Sequence, residues 1–140
     1  MLRRATGQDV ETVAALMRAL WPHHSLEEMR QEAQTLLADP TVCITICDDI
    51  AFAQCSLRRD YVEGTETSPV GYLEGIYVSP RARGQGVARA LVDYCAEWAR
   101  SQGCRELASD CELENSGSLA FHLAAGFEEA NRIICFVKKL

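Results

Sequence analysis

The chain has 140 residues, of which 48% are hydrophobic and 24% charged, and its 20 acidic against 14 basic side chains give a net charge of −6. This length suits a single domain, and the composition excludes a disordered or collagen-like chain. The acidic balance argues against nucleic acid or an anionic membrane as a partner and favours a neutral or cationic one.

The sequence also bears on the compartment. No apolar run approaches the roughly 18 residues of a membrane span, and three charged residues, Asp9, Glu11 and Arg18, interrupt the start where a signal peptide would be apolar. The seven cysteines are scattered, without a CxxC pair or zinc-finger spacing. We therefore expect a soluble cytoplasmic protein with no metal site, in which the cysteines are small buried hydrophobes.

The first elements are a short strand at Leu2–Arg4 and a helix over Val10–Leu20, where apolar residues recur at helical spacing until Pro22 approaches. Ser25 and Glu28 match the S-x-x-E capping box and predict the start of a second helix. That helix should end near Asp39.

The middle of the chain is rich in β-forming residues. Strands are predicted at Val42–Cys47 and over residues 50–57, joined by a tight turn at Asp48 and Asp49. After a polar loop over residues 58–69, Val70–Val78 is predicted as the fourth strand, and its two glycines favour a bulge or a close approach of a ligand.

The second half alternates helix and strand. A long apolar stripe predicts a helix from near Gly84 to Gly103, followed by a strand over residues 107–111 and a helix over residues 115–125. Residues 127–137, which contain the apolar run 133–137, predict one or two closing strands. The resulting order predicts an α/β protein with a mixed central sheet flanked by helices on both faces.

A glycine-rich segment, residues 81–88, lies between the third long strand and the long helix. Gly84 and Gly86 let backbone N–H groups approach an anion at a helix N-terminus, which favours a phosphate group. Arg89 replaces the third glycine of the dinucleotide fingerprint, and the Gly-Lys-Ser/Thr of a P-loop is missing. By itself, a glycine turn that merely starts a helix remains an equal alternative.

The wider context resembles the GCN5-related N-acetyltransferase (GNAT) superfamily. Arg81-x-x-Gly84-x-Gly86 matches its acetyl-CoA signature, and Asn115 and Gly126-Phe127 fall where the family pattern has them. The resemblance implies a single GNAT domain over residues 1–140 with acetyl-CoA as co-substrate and no metal. It places the pyrophosphate on the N–H groups of residues 84–89, and the pantetheine arm along residues 76–78 and on Asn115. The cofactor-binding residues it implies are Ile76, Tyr77, Val78, Arg83, Gly84, Gln85, Gly86, Val87, Ala88, Arg89 and Asn115.

Further segments resemble the aminoglycoside 6'-N-acetyltransferases more closely. They include Leu20-Trp21-Pro22-x-His24, Asp60-Tyr61-Val62, Leu73-Glu74-Gly75-Ile76, Ala108-Ser109-Asp110 and Glu114-Asn115. The resemblance implies acetylation of the 6'-amino group of aminoglycosides by direct attack in a ternary complex, which confers resistance, and a homodimeric assembly. The substrate-binding residues it implies are Trp21, His24, Tyr61, Glu74 and Asp110. Trp21 is equally a candidate core residue.

Acidic residues accumulate around two predicted strands, which suits a polycationic substrate because several carboxylates are needed to hold it. Glu74 and Asp110 lie within strands, whereas Glu63, Glu66 and Glu112 are better explained as solvated loop residues. The relatives have a glutamate against the substrate where this chain has Asn131, which removes one charge from the expected site.

The catalytic residues we expect are Asp110, Glu74 and His122. Either carboxylate could act as base, directly or through water, or could only position the ammonium group. A backbone N–H of residues 75–78 would bind the thioester oxygen. His122 occupies the position of the tyrosine that protonates the thiolate in many family members, and packing within its helix is an equal alternative.

Two other functions remain open at this stage. One is a GNAT acetyltransferase for a polyamine, an amino sugar or a protein amine. The other is a non-catalytic acyl-CoA or drug-binding module, which the intact Gly84 and Gly86 together with Glu74 and Asp110 argue against.

Overall fold

The computed structural model describes all 140 residues. Five strands are joined by four helices, in the order predicted from the sequence as far as residue 126. The strands are β1 Leu2–Arg4, β2 Val42–Cys47, β3 Ala51–Arg58, β4 Val70–Val78 and β5 Leu107–Ser109, and the helices are α1 Val10–Leu20, α2 Leu26–Ala38, α3 Val87–Ser101 and α4 Ser116–Ala124. Two short 3-10 turns, Gly7–Asp9 and Pro80–Ala82, were not predicted.

The strands form one sheet in the order β1-β2-β3-β4-β5. The first four are antiparallel to their neighbours, and β5 runs parallel to β4. β5 pairs only with Gly71, Tyr72 and Leu73, so the outer edge of β4 from Glu74 to Val78 has no strand beside it. An unpaired edge leaves backbone N–H and C=O groups free for another extended chain or a ligand.

Helices cover both faces of the sheet, as predicted. On one face, α1 and α2 bury Val13, Met17 and Met29 against Ile44 and Phe52. On the other, the buried side chains are Leu91, Val92, Cys95, Trp98 and Ala99 of α3 with Cys43, Ala53, Cys55 and Leu73 of the sheet. Successive residues of β2 thus serve opposite cores, as the period of two in a strand requires.

The cysteines divide into two groups. Cys43, Cys55, Cys95 and Cys104 are buried in the α3 face, as predicted, and the partly buried Cys47 packs against the same cluster. Burial raises the pKa of the Cys43 thiol. The prediction is wrong for Cys111 and Cys135, which are exposed, because both lie in segments without secondary structure.

Three predicted elements differ from the structure. The long helix begins at Val87 rather than near Gly84, because Gly84 and Gly86 have left-handed backbone conformations, with φ of 78° and 79°. β5 ends at Ser109, where its pairing with β4 ends.

The third difference is the largest. Residues 127–140 form no strand, although their apolar run has high β-propensity, and Ile134, Phe136 and Val137 are 80–90% exposed. A strand needs a neighbouring strand, and propensity alone does not supply one.

An ion pair stabilises the start of α1 and gives a testable pH dependence. The Arg3 guanidinium, at 2.7 Å, and the backbone N–H of Thr6 lower the pKa of Asp9 from 3.8 to about 2. A lowered folded-state pKa stabilises the fold above about pH 4, and this contribution is lost as the pH falls through about 2.

Asp9→Asn should therefore lower the free energy of unfolding at pH 7 by about 1 kcal/mol, a value reduced for the exposure of Arg3. Urea denaturation at several pH values measures it, with the exposed Asp93→Asn as control. A deficit that stays constant from pH 7 down to pH 2 would contradict this assignment.

Candidate active site

The site begins where β5 leaves the edge of β4. Gly75 lies on that edge, and a methyl group in its place would be 2.8 Å from the Trp21 ring atoms Cη2 and Cζ2. The strand glycine therefore allows the indole to lie against the backbone. Trp21 also contacts Phe52 edge-on, with ring centroids 6.2 Å apart, and packs against the core. Its ring is partly exposed, so it covers the site and supports the core at once.

Glu74 lies on the same edge and has two partners on β3. Its Oε1 accepts a hydrogen bond from Arg58 Nη2 at 2.6 Å, and its Oε2 accepts from Arg58 Nε at 3.1 Å and from the Ser56 hydroxyl. Both carboxylate oxygens thus accept hydrogen bonds from β3, which fixes the position of the carboxylate.

Asp110, the first residue after β5, is held by one partner. The hydroxyl of Tyr72 donates a hydrogen bond to Asp110 Oδ2. Burial and this hydrogen bond raise the pKa of Tyr72, so the hydroxyl stays protonated and keeps donating. The other oxygen, Oδ1, makes no hydrogen bond within the protein, and Asp110 is exposed.

Arg58 connects the two predicted carboxylates. Its guanidinium carbon lies 3.5 Å from the centre of the Tyr72 ring while its nitrogens bind Glu74. We did not predict roles for Ser56, Arg58 and Tyr72. The alternation of side chains along a strand puts Ser56 and Arg58 on the same face of β3, and this was the sequence signal that could have linked them. The pairing of Ser56 with Tyr72, however, depends on the sheet register.

The other predicted substrate residues lie on loops. His24 Nδ1 is 3.1 Å from Glu28 Oε2 at the start of α2. Tyr61 is 76% exposed in the loop between β3 and β4, and its hydroxyl makes no hydrogen bond.

The remaining acids have other surroundings. Glu106 accepts hydrogen bonds from the Thr67 hydroxyl and from the backbone N–H groups of residues 66 and 67, which lowers its pKa and fixes the loop. Glu63 accepts a hydrogen bond from Asn131. Glu66 and Glu112 are exposed, as expected for solvated residues.

The glycine-rich loop adjoins this site through β4. Gly86 caps α3 without a side-chain hydrogen bond, so the first N–H groups of that helix lack side-chain partners. A methyl group at Gly84 or Gly86 would meet nothing within 4 Å, so the loop is open to an approaching group. These features suit a pyrophosphate, because N–H groups and the helix dipole both favour an anion.

A cleft of about 270 Å³ lies between this loop and α4. Seven of the predicted cofactor-binding residues line it: Val78, Arg83, Gly84, Gly86, Val87, Ala88 and Arg89. Arg83 Nε donates to the Val78 carbonyl at 2.9 Å and Arg89 Nη1 to the Ala124 carbonyl at 3.0 Å, which ties the loop to β4 and α4.

Four predicted cofactor residues lie outside the cleft lining. Ile76 and Tyr77 belong to the free edge of β4, and Gln85 is exposed in the loop. Asn115 caps α4, because its Oδ1 accepts a hydrogen bond from the Ser118 N–H at 3.1 Å. Its side-chain NH₂ remains unpaired in the structure.

His122 lies on α4 beside the end of β5. Its Nδ1 donates to the Ser118 carbonyl at 2.7 Å, so in the neutral ring Nε2 accepts from the Ser109 hydroxyl at 2.8 Å. The ring also meets Phe127 edge-on at 5.1 Å. His122 therefore packs within its helix. Its Nε2 also contacts Ser109, the last residue of β5, at the opening between β4 and β5.

The fold and these sites define an acyl-CoA-dependent transferase architecture. Residues 10–127 match the family described as "Acetyltransferase (GNAT) family", and the chain belongs to that family.

Among individual relatives, the chain is 44% identical to the aminoglycoside N(6')-acetyltransferase type 1 of Stenotrophomonas maltophilia, over 96% of this chain and 90% of that one. It is 47% identical to the enzyme of the same name from Serratia marcescens, over 90% of each.

Two solved structures are similar to this chain in both fold and sequence. The aminoglycoside 6'-N-acetyltransferase AAC(6')-IG of Acinetobacter haemolyticus matches with a TM-score of 0.92 and 38% identity, over 100% of this chain and 99% of that one. AAC(6')-Iy in complex with the bisubstrate analogue CoA-S-monomethyl-acetylneamine matches with a TM-score of 0.93 and 37% identity, covering 100% and 98%.

Proposed function

We propose that the protein transfers the acetyl group of acetyl-CoA to the 6'-amino group of aminoglycosides and thereby confers resistance. The observation that carries this proposal is the placement of Glu74 and Asp110 at the opening between β4 and β5, because the same strand β4 ends at Val78, which lines the cleft beside the glycine-rich loop. The two relatives named aminoglycoside N(6')-acetyltransferase and the solved structure with the acetylneamine bisubstrate analogue support the same substrate class.

The geometry suits direct attack in a ternary complex. The free N–H groups of residues 84–89 and the edge of β4 at residues 76–78 would hold the pyrophosphate and the pantetheine arm. A cofactor bound in this way would have its thioester at the opening, where a backbone N–H of β4 would bind the thioester oxygen. The free oxygen of Asp110 would bind the substrate ammonium group from the other side.

Four changes then complete the transfer. The ammonium group loses a proton to water or to Asp110, and its nitrogen forms a bond to the acetyl carbon as the carbon–sulfur bond breaks. The nitrogen, which still carries one proton more than the amide product, loses that proton to water. The departing thiolate takes up a proton. His122 could supply this proton only from its doubly protonated ring, in which Nε2 also carries a proton, and we infer that the proton would then pass through the Ser109 hydroxyl, which contacts Nε2.

The test is an assay of thiol release from acetyl-CoA with a panel of amines. The sharpest pair is two aminoglycosides that differ only in carrying a 6'-amino or a 6'-hydroxyl group. Turnover with the first and none with the second is expected. Turnover with spermidine or a lysine peptide alone would favour another GNAT activity, and acetyl-CoA binding without any turnover would favour a binding module.

We further propose that residues 1–140 act as one domain in the cytoplasm, where acetyl-CoA is available, and that two copies form a homodimer. No helix has both the length and the apolar character needed to cross a membrane. The homodimer proposal rests on the exposed apolar side chains of Ile133, Ile134, Phe136 and Val137, which a second copy would cover.

Analytical ultracentrifugation tests the assembly. The unchanged chain should sediment as a dimer and Phe136→Asp as a monomer. Leu113→Asp, which adds the same charge at another exposed apolar residue, should remain dimeric. A monomeric unchanged chain would rule out the homodimer.

A further inference from the structure

Arg58, the last residue of β3, is a cation in a site that we assign to a polycationic substrate. Its fork of N–H groups binds both oxygens of Glu74, at 2.6 and 3.1 Å, and this hydrogen bonding raises the pKa of Arg58. Its planar face stacks on Tyr72, 3.5 Å from the ring centre. The guanidinium is therefore charged and fixed on two sides.

Electrostatics alone does not explain an arginine here. A positive charge beside Glu74 offsets part of the attraction that would draw a cationic substrate to the site. The benefit must therefore be geometric. A fork paired with a carboxylate fixes both its position and its rotation, which a single-point contact does not.

We propose that Arg58 is a positioning residue that sets the orientation of the substrate-binding carboxylates. It holds Glu74 directly, and by packing on Tyr72 it supports the hydroxyl that holds Asp110. This inference rests on the proposed function, since the carboxylates it orients are those assigned to the aminoglycoside.

The two explanations predict opposite signs for one substitution. If Arg58 acted only through its charge, Arg58→Gln would make the site more acidic and lower KM for the aminoglycoside. If it positions Glu74, the same change releases the carboxylate. We then expect kcat/KM for the aminoglycoside to fall by about tenfold to a hundredfold, with KM raised and KM for acetyl-CoA within about twofold of the unchanged enzyme.

Arg58→Lys and Arg59→Gln are the matched variants. Lysine keeps the charge but lacks the fork and the planar face, so it should restore little activity. Arg59 is exposed and its side chain has no hydrogen-bond partner, so Arg59→Gln removes the same charge one residue away and should leave kcat/KM nearly unchanged. Melting curves and acetyl-CoA affinity establish that each variant is folded. If Arg58→Gln does not fold, Arg58→Lys is used in its place to test the proposal.

A double-mutant cycle with Glu74→Gln shows whether Arg58 acts through Glu74. Most of the loss caused by Arg58→Gln should disappear when Glu74→Gln is already present. Two losses that simply multiply, full activity in Arg58→Lys, or a lowered aminoglycoside KM in Arg58→Gln would each overturn the proposal. If the unchanged enzyme acetylates no aminoglycoside, the proposed function fails instead, and this inference fails with it.

Discussion

Asp110→Asn should lower kcat/KM for a 6'-amino aminoglycoside by about a hundredfold or more, while acetyl-CoA affinity changes by less than about twofold. Asparagine keeps the shape of the side chain and removes the negative charge that would bind the ammonium group. Tyr72 stays protonated and continues to donate to the remaining oxygen, so the fold around the site should be preserved.

Glu74→Ala should also reduce turnover far more than acetyl-CoA affinity, because Glu74 lies on the substrate side of β4 and does not line the cofactor cleft. Asp93→Asn is the control for the loss of one acidic charge, since Asp93 is exposed on α3 and has no hydrogen-bond partner. Steady-state kinetics and calorimetric titration with acetyl-CoA measure the two effects separately. If Asp110→Asn and Glu74→Ala lowered acetyl-CoA affinity as much as they lowered turnover, the assigned roles would be contradicted.

Gly86→Ala should weaken acetyl-CoA binding by about tenfold to a hundredfold. The residue has φ of 79°, and a side chain in this left-handed conformation costs about 1–2 kcal/mol. The added methyl group also projects into the open approach to the loop, because no protein atom lies within 4 Å of its position. Both effects disturb the N–H groups that we assign to the pyrophosphate.

Gly7→Ala is the matched control for this substitution. Its added methyl group also meets nothing within 4 Å, but Gly7 has no positive φ and lies far along the chain from the loop. Calorimetric titration should give unchanged acetyl-CoA affinity for Gly7→Ala. Unchanged affinity in Gly86→Ala as well would show that the loop does not bind the pyrophosphate.

The features predicted well from the sequence have local causes. The capping box of Ser25 and Glu28 forms as expected, because its two hydrogen bonds join residues three apart. The apolar stripes of α1 and α3 and the strand at Val70–Val78 follow from side-chain periodicity. The glycine loop was recognisable for the same reason, since its conformation depends on adjacent residues.

The features that only the tertiary structure decided depend on residues far apart in the chain. Arg58 meets Glu74 and Tyr72 because of the register of β3 against β4, which includes a bulge between Gln54 and Cys55. The opening of the site depends on where β5 stops pairing with β4. Neither the register nor the end of pairing is encoded in any short segment.

The C-terminal residues 127–140 also separate what the sequence determines from what the tertiary structure decides. Its sequence by itself determined a strong preference for extended structure, and the tertiary structure decided that residues 127–140 have no strand partner within the chain. The physical reason is that a strand is stabilised by hydrogen bonds and packing with a neighbour. The sequence thus predicted the glycine-rich loop and the two carboxylates as site residues, whereas the pairing of distant strands decided which side chains hold those carboxylates in place.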